Sequence, residues 1–294
     1  MSYISVNQNQ RENIDRLASQ RYFYSVGKKL HNSRLLISIF FAIFTPLLVI
    51  LYPSTKITAG VMSSLWVIAS FILQNIEKKI VNLAVNIQEE IDTGLFRMSW
   101  NYALAGEKPS EESIIYGSKK FEGDMELLKD WYGDVSGFPY PLDVLLCQRS
   151  NLAWDWRLKR IFSLLLSLII LIFFLSTIII GIKFGLTVYD FILVLVLPCI
   201  PSYVMGIQEA RDFNSDSINR AGLETKISKL SESVLVNDHN LQIDELRNIQ
   251  DSIYIYRKGP LVPDWVFYIL RNFFENTMQN SLNTFKEKYL SIKK

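Results

Sequence analysis

Residues 161–208 read IFSLLLSLIILIFFLSTIIIGIKFGLTVYDFILVLVLPCIPSYVMGIQ, and this stretch decides the fold. Residues 161–182 hold no charged side chain and are dominated by Leu, Ile and Phe. A helix needs about 20 mostly apolar residues to cross a hydrocarbon core roughly 30 Å thick, so 161–182 is long enough to span. Residues 184–208 follow as a second apolar block, interrupted by Asp190, Pro198 and Pro201. The few residues at 183–186 between the blocks leave room only for a tight reversal. The two blocks therefore predict a helical hairpin.

Toward the N-terminus the same arrangement recurs. Residues 35–55 and 57–76 are free of charge and are separated only by the stretch around Pro53 and Lys56. The prediction is an all-α membrane protein with four transmembrane helices in two hairpins. Its parts are an N-terminal arm (1–34), a first hairpin (35–76), a polar helical segment (77–160), a second hairpin (161–207) and a polar helical tail (208–294). Of the 31 Lys and Arg residues, only Lys56 and Lys183 lie at the hairpin tips. Positive charge collects on the cytoplasmic side of membrane proteins. Both termini and the middle segment are thus expected in the cytoplasm, with the tips outside. A soluble all-α protein with very apolar core helices is the alternative, but four apolar blocks of this length rarely share a soluble core.

Composition narrows the function classes. The chain has 294 residues, 49% of them hydrophobic, and a net charge of +2. No strong basic field argues for DNA or RNA as a partner. The cysteines, Cys147 and Cys199, lie in unlike segments and suggest neither a disulfide framework nor a zinc site. The first 30 residues lack the apolar stretch of a secretory signal.

Outside the spans the chain reads as helices. Ile76, Ile80, Leu83, Ile87, Ile91 and Leu95 recur at helical spacing, so 74–96 continues span two as one long helix. Glu89 and Glu90 fall largely off that stripe. Pro109 suits the first turn of a helix reaching Leu128. Residues 133–141 form a loop by their glycines and prolines, and 142–160 is a second long helix entering span three. In the tail, 209–235 continues span four, 237–240 is a turn, and 241–257 is a helix. Residues 259–263 break the chain, and Asp264 caps a final helix over 265–289.

Three polar clusters stand out. The densest is CQRSNLAWDWRLKR at 147–160. Interfacial anchoring explains Trp156, Arg157, Lys159 and Arg160. It does not explain Gln148, Arg149, Asn151 and Asp155. Beside Trp154 these residues suit either a grip on a base and phosphate or a buried network holding the bundle. The second cluster is Gln88, Glu89, Asp92, Arg97, Trp100 and Asn101, readable as a helix end. The third is Arg257, Lys258, Gly259, Pro260 and Asp264, where two cations before a turn suit a phosphate or stay solvated. P-loop, GxSxG and strand-linked GxGxxG motifs are missing. His31 and His239 have no partner at metal or triad spacing. No metal site, no cofactor and no enzyme activity are expected. Within the spans, Asp190 is a functional candidate or an interface acid. Pro198 and Pro201 must bend or break span four, as a gating hinge or as static packing.

IQEEIDTGLFRMSWN (87–101), KDWYGDVSG (129–137), LLCQRSNLAWDWRLKR (145–160) and RKGPLVPDWVFYILR (257–271) resemble the SMODS-associated four-transmembrane effector family. The resemblance covers nearly the whole chain. It implies an effector of CBASS anti-phage defence in the bacterial inner membrane. A partner nucleotidyltransferase would supply a cyclic di- or oligonucleotide. The effector would bind it in the cytoplasmic part, form a homo-oligomer and permeabilise the bilayer. On that reading Arg149, Asn151, Trp154, Asp155 and Arg157 face the ligand or couple to the gate. Arg257 and Lys258 contact phosphate, and Asp190, Pro198 and Pro201 belong to the gate.

Overall fold

The structure, a computed structural model, describes residues 2–152, 155–236, 240–263, 284–289 and 291; of Asp155 and Pro201 it describes the backbone alone. Regular structure among the described residues is helical. In order come α1 (Tyr3–Asn7), α2 (Arg11–Leu51), a 3-10 turn (Pro53–Thr55), α3 (Lys56–Phe96), α4 (Tyr102–Ala105) and α5 (Glu111–Lys120). A second 3-10 turn (Glu126–Leu128) precedes α6 (Leu142–Ser150) and α7 (Asp155–Lys183). Then follow α8 (Val188–Asp190), a π-helical segment (Phe191–Val196), α9 (Leu197–Val236) and α10 (Ile243–Arg257).

Length alone carries an argument. Helices α2 and α3 each have 41 residues and α9 has 40, so each is about 60 Å long. That is roughly twice a hydrocarbon core, and much of each helix must lie beyond it. Among the described residues, three helical stretches are long and apolar enough to cross a membrane: Arg11–Leu51, Pro53–Phe96 and Trp156–Lys183. A fourth qualifies when Val188–Ile200 and Ser202–Val236, bent by 44°, count as one span.

Packing divides the chain into two compact units. Residues 27–79 and 160–214 form an apolar unit; 1–26, 80–159 and 215–294 form a polar one. The division falls inside α2, α3, α7 and α9.

The apolar unit turns large hydrophobic side chains outward. Leu36, Ile68, Ile169 and Ile179 are each 60% exposed or more, and such a surface suits lipid rather than water. Its helices hold one another through side-chain to backbone bonds. Pro46 lies inside α2 and has no N–H to offer the carbonyl four residues back. That carbonyl, on Ala42, instead receives the Cys199 thiol at 3.4 Å. The Ser202 hydroxyl donates to the Ser38 carbonyl at 2.9 Å, and Ser163 to Ala210 at 2.7 Å. Trp66 Nε1 donates to Ser38 Oγ at 3.0 Å. After α7 the chain reverses at Gly185, whose φ of 58° is costly for any residue with a Cβ. Leu186 N–H bonds to Gly181 and Gly185 N–H to Ile182 at 3.1 Å each, the Schellman pattern of a left-handed helix end. Asp190 stands at the start of the fourth apolar block, 3.8 Å from Lys56 Nζ. The π segment lies directly before Pro198, where the missing N–H disturbs the helical ladder.

The polar unit is built round α3. Ile87, Ile91, Leu95 and Phe96 contribute to a core shared with Ile14 and Leu17 of α2, Leu145 and Leu146 of α6, and Leu246, Ile249 and Ile253 of α10.

The N-terminal arm, given no secondary structure from the sequence, is helical and sends Ile4, Ile14, Leu17 and Ala18 into the core. Several expectations need correction. The helix through Glu111 stops at Lys120, because Gly123 and Asp124 break it before Leu128, and Pro109 lies before the Ser110 cap rather than in the first turn. Residues 142–160 are not one helix. Asn151 caps α6 and α7 begins at Asp155. Glu89 lies off the apolar stripe as read, yet it is 1% exposed, because neighbours cover that face of α3 too. The turn at 237–239, the Asp264 cap and 265–283 of the last helix lie outside the described residues.

Candidate functional site

The buried stripe of α10 runs Leu246, Ile249, Gln250, Ile253, Tyr254 and Arg257. Two of its members are strongly polar, and both meet α3. Arg257 Nη1 lies 2.6 Å from Asp92 Oδ2 and 3.9 Å from Glu89 Oε2. Gln250 Nε2 donates to Glu89 at 2.7 Å and to Asp92 at 3.1 Å. Gln148 of α6 donates in turn to Gln250 Oε1 at 3.2 Å and to the Leu246 carbonyl at 2.9 Å. Tyr132 gives its hydroxyl proton to Asp92, and Asn151 Nδ2 reaches that hydroxyl at 3.4 Å. On the rim, Arg247 bonds Glu89 at 2.8 Å and also holds Asp251.

Two carboxylates this deep are tolerated only because cations and amide donors face them. Burial, then the neighbouring Asp92, pushes the Glu89 carboxyl above its usual range; Arg257, Gln250 and Arg247 pull partly back. Burial, then Asp92, holds the Tyr132 hydroxyl well above an ordinary phenol. Burial, then Asp143 and Asp92, does the same to the Cys147 thiol. Both groups therefore stay protonated at neutral pH, and neither is poised as a nucleophile. Among the described residues, Arg257 Nη2 and Gln148 Oε1 are buried without a hydrogen-bond partner, and such groups mark a place for a polar guest or an alternative partner.

The residues flanking Arg257 meet a second ion cluster, centred on Asp216 of α9. Asp216 of α9 takes Lys159 of α7 and, at 2.8 Å, Arg220 Nε. Arg220 Nη2 donates to the Tyr256 carbonyl. A Cβ at Gly259 would meet the Asp216 carboxylate at 3.0 Å, so the turn sits close against this ion cluster. The end of α10 and the turn after it thus meet α3 and α9 within a few residues.

Of the residues predicted for a site, Asn151 and Arg257 are brought into one network through Tyr132 and Asp92. Arg149 is half-buried in the last turn of α6. Arg157 is exposed, its guanidinium 5.0 Å from the Trp156 ring. Lys258 is exposed with its ammonium 4.2 Å from the Tyr254 ring, and partial burial lowers its pKa. Trp154 and the Asp155 side chain lie outside the described residues. Asp190 and Pro198 belong to the apolar unit, as does Pro201, whose side chain is undescribed. Gln250, Tyr132 and Asp216 were not singled out from sequence. For Gln250 the signal was there: an amide on an otherwise apolar helical stripe.

Two comparisons bear on this chain. The model of the SMODS-associating 4TM effector domain matches residues 2–285. A probable CBASS effector molecule from Bacillus cereus (strain VD146) is 30% identical over 270 residues, covering 89% of this chain and 91% of that protein. No solved structure matches the chain.

Proposed function

The chain belongs to the SMODS-associating 4TM effector family, and from that premise we propose that it is a cyclic-oligonucleotide-gated membrane effector of bacterial anti-phage defence. A messenger from a partner nucleotidyltransferase binds the polar unit, and an oligomer of the apolar unit permeabilises the inner membrane. The reading needs no cofactor and no catalytic turnover.

One observation carries it. Helices α2, α3, α7 and α9 each run from an apolar block into the unit that holds the buried ion network. In this reading the spans form two hairpins with both termini cytoplasmic, which the placement of Lys and Arg supports. Arg149, Asn151, Trp154, Asp155, Arg157 and Lys258 face the ligand. Arg257 is the coupling residue: messenger phosphate competes with Asp92 and Glu89 for its guanidinium, and the exchange shifts a two-state equilibrium. Asp190, Pro198 and Pro201 set the bend of the fourth span. Four spans hardly enclose a wide pore, so opening requires several copies.

The test is dye leakage from liposomes holding the purified protein, across cyclic di- and trinucleotides. Leakage with one or two of them, and none without, is the expected result. Arg149→Ala should abolish it while insertion persists. A correctly inserted protein that stays tight with every nucleotide, yet retains a cytosolic partner, would instead be a non-conducting scaffold.

A further inference from the structure

His31 is absorbed by none of the foregoing, and its surroundings are unusual. It is 8% exposed, and both ring nitrogens face carboxylates. Nδ1 lies 3.1 Å from Glu77 Oε1 and Nε2 lies 3.9 Å from Glu209 Oε1. Arg34, 4% exposed, binds the other Glu77 oxygen and reaches Ser70 Oγ at 3.4 Å. The residues come from three helices, α2, α3 and α9, all within the apolar unit. In sequence, His31 and Arg34 stand just before the first apolar block, Glu77 just after the second, and Glu209 just after the fourth.

A neutral imidazole has one N–H, which can serve the Glu77 hydrogen bond at 3.1 Å, and carries no charge; only the imidazolium also attracts Glu209 across the 3.9 Å ion-pair contact. The charge balance agrees. With His31 protonated, two cations face Glu77 and Glu209. With His31 neutral, one guanidinium faces two buried carboxylates, and Asp212 adds a further negative charge beside Glu209.

We infer that this cluster is a proton-operated latch: the imidazolium ties α3 to α9 across α2, and loss of its proton releases Glu209. Three ionisations bear on the window. Burial opposes charging His31, but the Glu77 hydrogen bond and the charges of Glu209 and Glu77 outweigh it and raise its pKa. Burial raises Glu209. Burial opposes ionisation of Glu77, yet His31 and Arg34 hold its pKa below the ordinary value. A raised imidazole pKa means the imidazolium is fully formed below about 6.5 and is lost as pH climbs through the raised value, while on the acid side the raised Glu209 is the first carboxylate of the tie to take up a proton. The lowered Glu77 fails only in strong acid. The latch therefore loosens toward alkaline pH.

The chain has two histidines, so His239→Asn leaves one imidazole to observe. In that variant in nanodiscs, 15N-histidine NMR should show His31 titrating above about 6.5. Glu77→Gln and Glu209→Gln should each lower that midpoint by about one unit. Thermal unfolding of the wild type should weaken from pH 6 to pH 9, and His31→Gln should flatten that slope. If His31→Gln does not fold, Glu209→Gln, which removes only the longer contact, should halve the slope. A midpoint at or below about 6.5, or one unmoved by both glutamine variants, overturns the latch. None of these readouts depends on leakage, so either result leaves the effector reading standing.

Discussion

Arg257 neutralises Asp92 and Glu89 where water cannot, so removing it leaves two carboxylates facing each other in the core. Arg257→Met should destabilise the protein by about 3–5 kcal/mol, the range for breaking a buried ion pair from one side. Chemical denaturation in detergent measures it. Adding Glu89→Gln and Asp92→Asn should recover part of that loss, because the charges are then gone together. Tyr132→Phe removes a hydrogen-bond donor from buried Asp92 and should cost about 1–3 kcal/mol. Glu89 gives a pH signature. Its folded pKa is raised, so the folded state holds the proton more tightly than the unfolded one. The wild type should therefore lose ground to Glu89→Gln as pH rises from about 4.5. A constant difference between the two across that range would show that Glu89 keeps an ordinary pKa.

Among the elements, α2 and α9 depend on each other through one proline. Pro46 frees the Ala42 carbonyl, and Cys199 occupies it. Cys199→Ala should cost about 0.6 kcal/mol, a typical bond between membrane helices. In a Pro46→Ala background that cost should vanish, since the restored N–H fills the carbonyl from within α2. Equal costs in both backgrounds would mean that Cys199 acts by packing alone. At the turn after α7, Gly185→Ala meets no neighbouring atom, so its expected cost of about 1–2 kcal/mol is that of the left-handed backbone.

For the molecule as a whole, α2, α3 and α9 are each near 60 Å long and each carries both an apolar block and a stretch of the polar unit. The end of α10 meets two of them, α3 and α9. The proposed activity therefore predicts assembly as well as leakage: chemical crosslinking in membranes should yield higher oligomers on adding the active nucleotide. Conductance by a demonstrable monomer would contradict that arrangement.

The apolar blocks, their lengths and their separations are legible in the sequence because transfer into hydrocarbon depends on composition over a window, not on which residues become neighbours. The same holds for the long α3 and α9 and for the family resemblance. What sequence could not place were contacts between distant residues. The stripe from Ile76 to Leu95 identified one face of α3, but periodicity names a face and not its partners, so Glu89 read only as lying off that stripe. Tertiary packing surrounded it with Gln250, Arg247 and Arg257. The break between α6 and α7 was equally hidden, since LLCQRSNLAWDWRLKR has no Gly or Pro to announce it. Glu77, Arg34, His31 and Glu209 were visible only as flanking charges. Their union is decided by helix packing, because a buried charge is stable only where the fold supplies its counter-charge.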